Sequence, residues 1–210
     1  RLAGQQLLRS MDSLMEHQAA VDYCVAALLR PLIDQDLSVV FYDLTTIRAE
    51  GLSQQEGDVR HFGMSKEGVI ARQFMLGVVQ TAEGMPIYHE VFDGNTAEAP
   101  TLQPTLRKVL SRYPHIRRLV VVADRGLLSL DNIDALSKLQ AGSGRALEFI
   151  LAVPGRRYGE FVHLLRPISE QAAQASEEVV AECEWQGHRL VVAHNPLQAA
   201  QQTQDRLSRI

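Results

Sequence analysis

Ser38-Val39-Val40-Phe41-Tyr42-Asp43-Leu44-Thr45-Thr46 is the stretch on which the fold turns. Its β-branched and aromatic residues predict a strand. Side chains alternate across a strand, so Asp43 shares a face with Val39 and Phe41. A carboxylate in line with apolar side chains is costly unless it is paired, bound to a metal or set at the rim of the sheet. The plainer reading is that Asp43 ends the strand and caps a turn.

Working outward, residues 51–69 carry Gly51, Gly57, Gly63 and Gly68 among scattered charges and read as a loop. Arg72 to Thr81 reads as a second strand, Glu83-Gly84 as a turn, and Met85 to Phe92 as the returning third strand, closed by Asp93-Gly94-Asn95. This is an antiparallel hairpin or meander. Thr101 is the expected N-cap of a helix with Pro104 in its first turn and Leu102, Leu106, Val109, Leu110 and Tyr113 on its buried face. Leu119 to Ala123 is a continuous apolar run, the pattern of a parallel strand covered on both faces. Ser129 caps a short helix through Leu139, and Leu147 to Val153 supplies another buried strand. Three strands, then helix, strand, helix, strand is the order of the ribonuclease-H-like mixed α/β sheet flanked by helices. A purely parallel doubly wound fold would alternate from the start.

Residues 1–36 predict an N-terminal helical segment, a hairpin packed on the next domain. Leu7, Leu8, Met11, Leu14 and Met15 keep helical spacing, as do Val21, Val25, Leu28 and Leu29 before Pro31. Residues 37–155 are expected to form the first part of the ribonuclease-H-like core. Residues 156–210 begin a β-rich insertion: a short helix over Tyr158–Leu165, a hairpin of Glu178–Trp185 and His188–His194 about Gln186-Gly187, and a helix opened by Asn195-Pro196. The last helix meets no stop signal and the first residues, Arg1-Leu2-Ala3-Gly4, carry neither Met nor an export signal. The expectation is a piece of a longer protein.

Composition narrows the classes. The 210 residues (23.4 kDa) are 46% apolar and 22% charged, an ordinary globular balance that excludes disordered and collagenous chains. A chain of this size buries roughly 70% of its unfolded surface, enough for a real core. No run approaches the roughly 18 apolar residues of a membrane span, and no membrane partner is expected. Cys24 and Cys183 are distant and form no metal-spaced pair, which points to a reducing cytoplasm. A formal net charge of -4 without a Lys/Arg run argues against a broad nucleic-acid footprint. Only Lys66, Lys108 and Lys138 are lysines among 21 basic residues, and arginine is the better bidentate partner for phosphate; a coding bias explains the same skew.

Asp124 ends the Leu119–Ala123 run and precedes Arg125-Gly126. An acid at the carboxyl end of a buried parallel strand points into the crevice where open α/β sheets bind ligands. Alternatively it caps the following loop or pairs with Arg125. Taken together, Asp43 and Asp124 on neighbouring strands form a candidate Mg²⁺ or Mn²⁺ site. Phosphodiester chemistry uses hard carboxylate oxygens, and two ions about 4 Å apart can stabilise attacking and leaving oxygens.

Five blocks give these residues a context. Tyr42-Asp43-Leu44-Thr45-Thr46, Phe62-Gly63-Met64-Ser65-Lys66-Glu67-Gly68, Gly84-Met85-Pro86-Ile87, Phe92-Asp93-Gly94-Asn95-Thr96-Ala97-Glu98 and Val121-Val122-Ala123-Asp124-Arg125-Gly126 follow one another as in the DDE transposases of bacterial insertion sequences, which residues 37–153 resemble. The resemblance implies a ribonuclease-H-like core with three acids and two Mg²⁺ ions, in an endonuclease that nicks transposon ends and transfers the freed 3′-hydroxyl to target DNA. Asp43 and Asp124 match the first two acids, as catalytic residues and metal ligands. It further implies DNA ends and target as partners, a homodimer in the active complex, and a bacterial cytoplasmic, nucleoid-associated location. The family's third acid is a Glu in a signature of Tyr, two residues, Arg, three residues, Glu, six residues, Lys. The sequence departs there: Phe161 stands where Arg should follow Tyr158, and no Lys follows Lys138. Glu148, Glu160, Glu170, Glu177, Glu178, Glu182 and Glu184 all lack that context. The chain alone is therefore expected to be inactive. A ribonuclease-H-like nuclease without strand transfer needs the same carboxylates, and a non-catalytic remnant for DNA docking or oligomerisation is the other reading.

Other residues draw plainer expectations. His61, His89, His115, His163, His188 and His194 show no metal spacing. Lys66 and Arg72 read as solvated charges or phosphate contacts, Trp185 as hairpin packing or a base-stacking platform, and Gly94-Asn95-Thr96 as a turn with an open supporting role.

Overall fold

Val40, Tyr42 and Leu44 are sealed from solvent while Phe41 and Asp43 between them are exposed. This is the alternation of a strand with one covered face. The computed structural model describes residues 4–32, 38–50, 56–64, 68–142 and 144–208. Strand β1 (Ser38–Arg48) is longer than its apolar core because Thr45, Thr46 and Ile47 continue the β-branched run. It pairs antiparallel with β3 (Ile70–Thr81) along its length, from Val40 opposite Thr81 to Arg48 opposite Gln73.

The outer edge of β3 is shared end to end. Strand β4 (Pro86–Asp93) covers residues 74–80 of β3, and β2 (His61–Met64) covers 70–73. The sequence reading took 51–69 as loop and so missed β2. Four residues containing Gly63, with exposed Phe62 and Met64, carry almost no strand signal and are held by their neighbour rather than by propensity. Residues 51–55 and 65–67, including Lys66, lie outside the described residues.

On its other side β1 pairs in parallel with β5 (Leu119–Ala123), and β5 with β6 (Glu148–Leu151). The resulting six-stranded mixed sheet is the expected ribonuclease-H-like arrangement, with antiparallel strands on one side of β1 and parallel strands on the other. One face is covered by α3 (Leu102–Arg112) and α4 (Leu130–Ser137). Leu102, Leu106 and Val109 of α3 and Leu136 of α4 are inaccessible, each worth about 1.5–3 kcal/mol on burial. The opposite face is less covered. Val120 and Val122 are half-buried and Ile150 is exposed, so the Leu119–Ala123 run is not sealed on both sides as its composition suggested.

Two caps behave differently from each other. Ser129 Oγ accepts the Asn132 amide N–H at 3.0 Å, as expected. Thr101 does not cap α3: a 3₁₀ turn (Ala99–Thr101) precedes the helix, and the Thr101 hydroxyl donates to Glu98 O at 2.7 Å and accepts from Tyr42 Oη at 2.8 Å. Pro104, third residue of the helix, has no N–H for such a cap to receive, and the buried Tyr42 phenol donates to the hydroxyl instead.

At the N-terminal side, α1 (Gly4–Glu16) and α2 (Gln18–Leu29) follow the predicted helical run. Only α2 engages the core, through buried Ala26 and an Arg112–Asp22 ion pair at 3.0 Å. The α1 stripe of Leu7, Leu8, Met11, Leu14 and Met15 is exposed instead of packed. Residues 33–37 lie outside the described residues.

The chain divides into two compact units, Arg1–Val153 and Pro154–Ile210. The second has a 3₁₀ segment (Gly155–Phe161), α5 (Val162–Ala172), a hairpin of β7 (Val179–Trp185) and β8 (His188–His194), and α6 (Pro196–Leu207). The hairpin turns through Gln186 at φ 51° and Gly187 at φ 79°, the two left-handed residues that a tight two-residue turn requires. Asn195 Oδ1 accepts the Leu197 and Gln198 amides at 3.1 and 3.2 Å, the predicted cap of α6. Trp185 packs on buried Phe161 with ring centroids 5.0 Å apart, which favours the packing reading of that residue.

Candidate functional site

The parallel ladder between β1 and β5 pairs Val40 with Val121, Phe41 with Val122 and Tyr42 with Ala123. Continued by one residue, the register sets position 43 beside position 124 on neighbouring strands, which run about 4.8 Å apart. Both aspartates are exposed. Asp43 lies on the less covered face, opposite Val78 of β3, so its carboxylate stays in water and the desolvation cost expected from its apolar neighbours is small. It does not cap a turn, because β1 runs on to Arg48. Asp124 does act as a cap: its Oδ1 accepts the Gly126 N–H at 3.0 Å and holds the 3₁₀ turn Arg125–Leu127. One oxygen is thereby oriented by the backbone and the second is left for other partners.

Glu98, which no sequence argument singled out, joins this turn. A Cβ placed on Gly126 would lie 1.9 Å from Glu98 Oε2 and 3.5 Å from Asp124 Oδ1. Two carboxylates from distant segments therefore approach one point, and glycine at 126 is what lets them. The available signal was Glu98's position at the end of the Phe92–Glu98 block, just before a helix.

Gln73 was also missed. It breaks the apolar set Ala71, Met75 and Val79 on the buried face of β3, a period-two irregularity visible in sequence. Its Nε2 donates to Gly94 O at 2.8 Å. Gly63 and Gly94 make room: a Cβ on Gly63 would meet Gln73 Nε2 and Gly94 O at 2.4 Å, and one on Gly94 would meet Gln73 O at 1.9 Å. A cavity of about 430 Å³ opens at this junction, running from Thr46 and Gln73 to Asn95, Thr96 and Glu98.

The remaining candidates have other partners. Arg72 reaches Asp58 at 2.8 Å, and the Arg60 guanidinium with Arg72 beside it holds the Asp58 carboxyl well below the usual range. Arg72 is thus an ion-paired strand residue rather than a solvated loop charge. Among the possible third acids, Glu148 pairs with Arg118 at 2.5 Å, Glu160 with Arg157 at 2.7 Å, Glu170 with Arg166 at 3.3 Å, and Glu182 with Arg189. The pairing lowers the pKa of Glu148, Glu160 and Glu182. Among the described residues no group of three or more His, Cys, Asp and Glu side chains is arranged to hold a metal ion. No helix among them is long and apolar enough to cross a membrane.

No protein-family model matches the chain, and no curated protein matches its sequence. Three solved structures similar to it are transposase complexes. One is the piggyBac transposase synaptic complex with hairpin DNA, at 14% identity and a TM-score of 0.44, covering 73% of this chain and 30% of that one. Another is the Mos1 strand transfer complex, at 16% identity and a TM-score of 0.36, covering 71% and 46%. The third is the Mos1 mariner paired end complex with Mn, at 15% identity and a TM-score of 0.33, covering 81% and 50%. The chain spans half or less of the length of each.

Proposed function

We propose that this chain contributes the first two acids of a DDE-type transposase that cleaves and joins DNA at insertion-sequence ends, with Asp43 and Asp124 as metal ligands. The observation that carries the reading is the β1–β5 register, which sets two exposed carboxylates on adjacent parallel strands where β5 ends. The carboxyl end of β5 is the crevice side of an open α/β sheet. The donor set suits a hard divalent ion: two carboxylates, one of them oriented by the Gly126 N–H. When bound, such an ion supplies charge stabilisation to a phosphodiester in displacement. The chain's own residues hold the site: Gly126 orients Asp124, and the Tyr42–Thr101 contact ties β1 to the turn bearing Glu98. The third acid, strand transfer, the DNA ends and a homodimeric active complex belong to the same proposal.

The test has two arms. Mn²⁺ binding followed by electron paramagnetic resonance reads the site in this chain, and Asp43→Asn or Asp124→Asn should weaken it at least tenfold. In the longer protein, either substitution should abolish Mg²⁺-dependent nicking while circular dichroism stays unchanged, because the amide keeps size and loses charge. Near-normal Mn²⁺ binding or nicking by either variant would return both residues to structural roles. Nicking without joining would leave a nuclease.

A further inference from the structure

Arg125 follows Asp124 in the chain and is exposed, yet among the described residues its guanidinium enters no hydrogen bond or ion pair. Other arginines around the sheet are committed. Arg72 is held by Asp58 at 2.8 Å, Arg112 by Asp22 at 3.0 Å, and Arg118 and Arg145 by Glu148 at 2.5 and 3.4 Å. Acids are not scarce near Arg125 either. Asp124 precedes it, and the β1–β5 register sets Asp43 on the neighbouring strand. Asp124 instead turns its Oδ1 to the Gly126 N–H, and the guanidinium is left to solvent.

The backbone that carries this side chain is fixed. Leu127 is 1% exposed, its N–H donates to Asp124 O at 3.3 Å, and its carbonyl accepts from Asn132 Nδ2 at 2.6 Å. The stem of Arg125 is therefore held at a set place beside the Asp124 carboxylate while its head stays uncommitted. Charge gives that head a use. Asp43 and Asp124 carry two negative charges, which a divalent ion cancels. A phosphodiester brought there adds a negative charge that neither carboxylate can answer. A guanidinium answers it with two parallel N–H bonds to the non-bridging oxygens, the stronger, charge-assisted kind of contact.

We propose that Arg125 is a phosphate-contacting residue, donating to the non-bridging oxygens of the nucleic-acid phosphodiester that lies at Asp43 and Asp124. The proposal rests on the DNA-processing reading above and adds the cation that seats the strand. Arg48 provides the comparison, being exposed and equally without a partner among the described residues. It lies five residues beyond Asp43 on β1, roughly 16 Å along the strand.

The experiment is fluorescence anisotropy of a labelled oligothymidylate of about 15 nucleotides, titrated with this chain at about 20–200 mM salt, in EDTA and again with Mn²⁺. The uniform strand presents the same backbone in every register. Arg125→Gln should weaken binding about tenfold and lower the slope of log K against log salt by about 0.7, one single-strand phosphate contact. Arg125→Lys should keep the slope and recover part of the affinity, because an ammonium retains the charge and loses the fork. Arg48→Gln should change affinity less than about twofold at about 0.15 M salt, where the Debye length of about 8 Å is half that separation. Both Arg125 variants should melt with the wild type, since the side chain has no partner to lose. Equal losses at Arg125 and Arg48, a Lys variant as weak and as flat in salt as the Gln variant, or unchanged binding by Arg125→Gln would each overturn the proposal. So would a lowered melt in both Arg125 variants, which marks a structural role, or no binding of the strand by the wild-type chain at any salt. Mn²⁺ titration of the same samples separates the two readings. Mn²⁺ bound by the wild type and lost in Asp124→Asn, with strand binding indifferent to Arg125, removes the phosphate contact alone; no Mn²⁺ binding by the wild type overturns the site and this proposal with it.

Discussion

Thr101→Val is the substitution whose cost the structure specifies most closely. The hydroxyl of Thr101 bridges a buried phenol and a half-buried turn, accepting from Tyr42 Oη at 2.8 Å and donating to Glu98 O at 2.7 Å. Tyr42 is 1% and Thr101 4% exposed, so water cannot replace the bond between them. Burial holds the phenol pKa above its ordinary value, which keeps it a neutral donor at working pH. Valine fills the same volume and accepts nothing, leaving a stranded O–H at about 1–3 kcal/mol, while the Glu98 carbonyl keeps the backbone N–H of residue 101 at 3.0 Å. Thr105 also lies within reach of the phenol and recovers part of that loss. The expected net cost is therefore about 1–2 kcal/mol, a fall in Tm of roughly 2–8 °C for a chain of this size. Tyr42→Phe removes one bond and strands no donor, so it should cost about 1 kcal/mol. Because the single variants share one bond, the double variant should cost about 1 kcal/mol less than their sum.

The assay is urea unfolding followed by circular dichroism. The sole tryptophan, Trp185, lies in the second unit and reports on the hairpin instead. A Thr101→Val cost within about 0.5 kcal/mol of zero, or strict additivity in the cycle, would refute the clamp.

Two glycines separate side-chain from backbone crowding. A Cβ on Gly142 would lie 1.9 Å from the Pro114 carbonyl oxygen, whereas one on Gly126 would lie 1.9 Å from the tip of Glu98. Backbone cannot swing aside, so Gly142→Ala should cost about 4 kcal/mol or fail to fold, and Gly126→Ala about 1 kcal/mol, measured by thermal melts. His115 has both ring nitrogens shielded without partners, and burial together with nearby Arg30 lowers its pKa. The unfolded state then binds more protons, so stability is full above the unfolded pKa of about 6.5 and falls as pH drops through it; His115→Phe should flatten the urea midpoint between pH 7 and 5. Asp58, held far below its unfolded value by Arg60 and Arg72, acts in a separate window, its contribution present above about pH 4 and lost in stronger acid; Asp58→Asn should remove that limb from an acid titration. Finally, this chain with Mg²⁺ or Mn²⁺ should leave supercoiled DNA intact, since two carboxylates position such ions poorly; nicking that Asp124→Asn abolishes would mean that a Glu within these residues completes the site.

What was legible in sequence follows the strength of local signals. Strand β5 begins and ends where its apolar run does, and the Ser129 and Asn195 caps sit where their side chains demand. Strand β2 was not legible because Gly63 and two exposed apolar residues carry no alternation, and its pairing comes from the spare edge of β3 beyond β4. The exposure of α1 was equally hidden: its stripe meets every criterion of a buried face, and periodicity cannot report whether a surface exists to receive it.

The candidate site divides along the same line. That Asp43 and Asp124 end up on neighbouring strands follows from strand order, which the succession of patterns implies. Glu98 and Gln73 are different, because what makes them notable is non-local: a carboxylate resting over a glycine 28 positions away, and an amide trapped between two glycines by the end-to-end meeting of β2 and β4. Gly63 and Gly94 read in sequence as loop and turn residues, and Gly126 as no more than a neighbour of Asp124. In the fold none of the three has positive φ, and each is glycine because another segment occupies the space a Cβ would take. Glycines that serve neither a turn nor a left-handed residue mark where segments remote in sequence come closest, and here all three lie on the approach to Asp124 or at the cavity beside it.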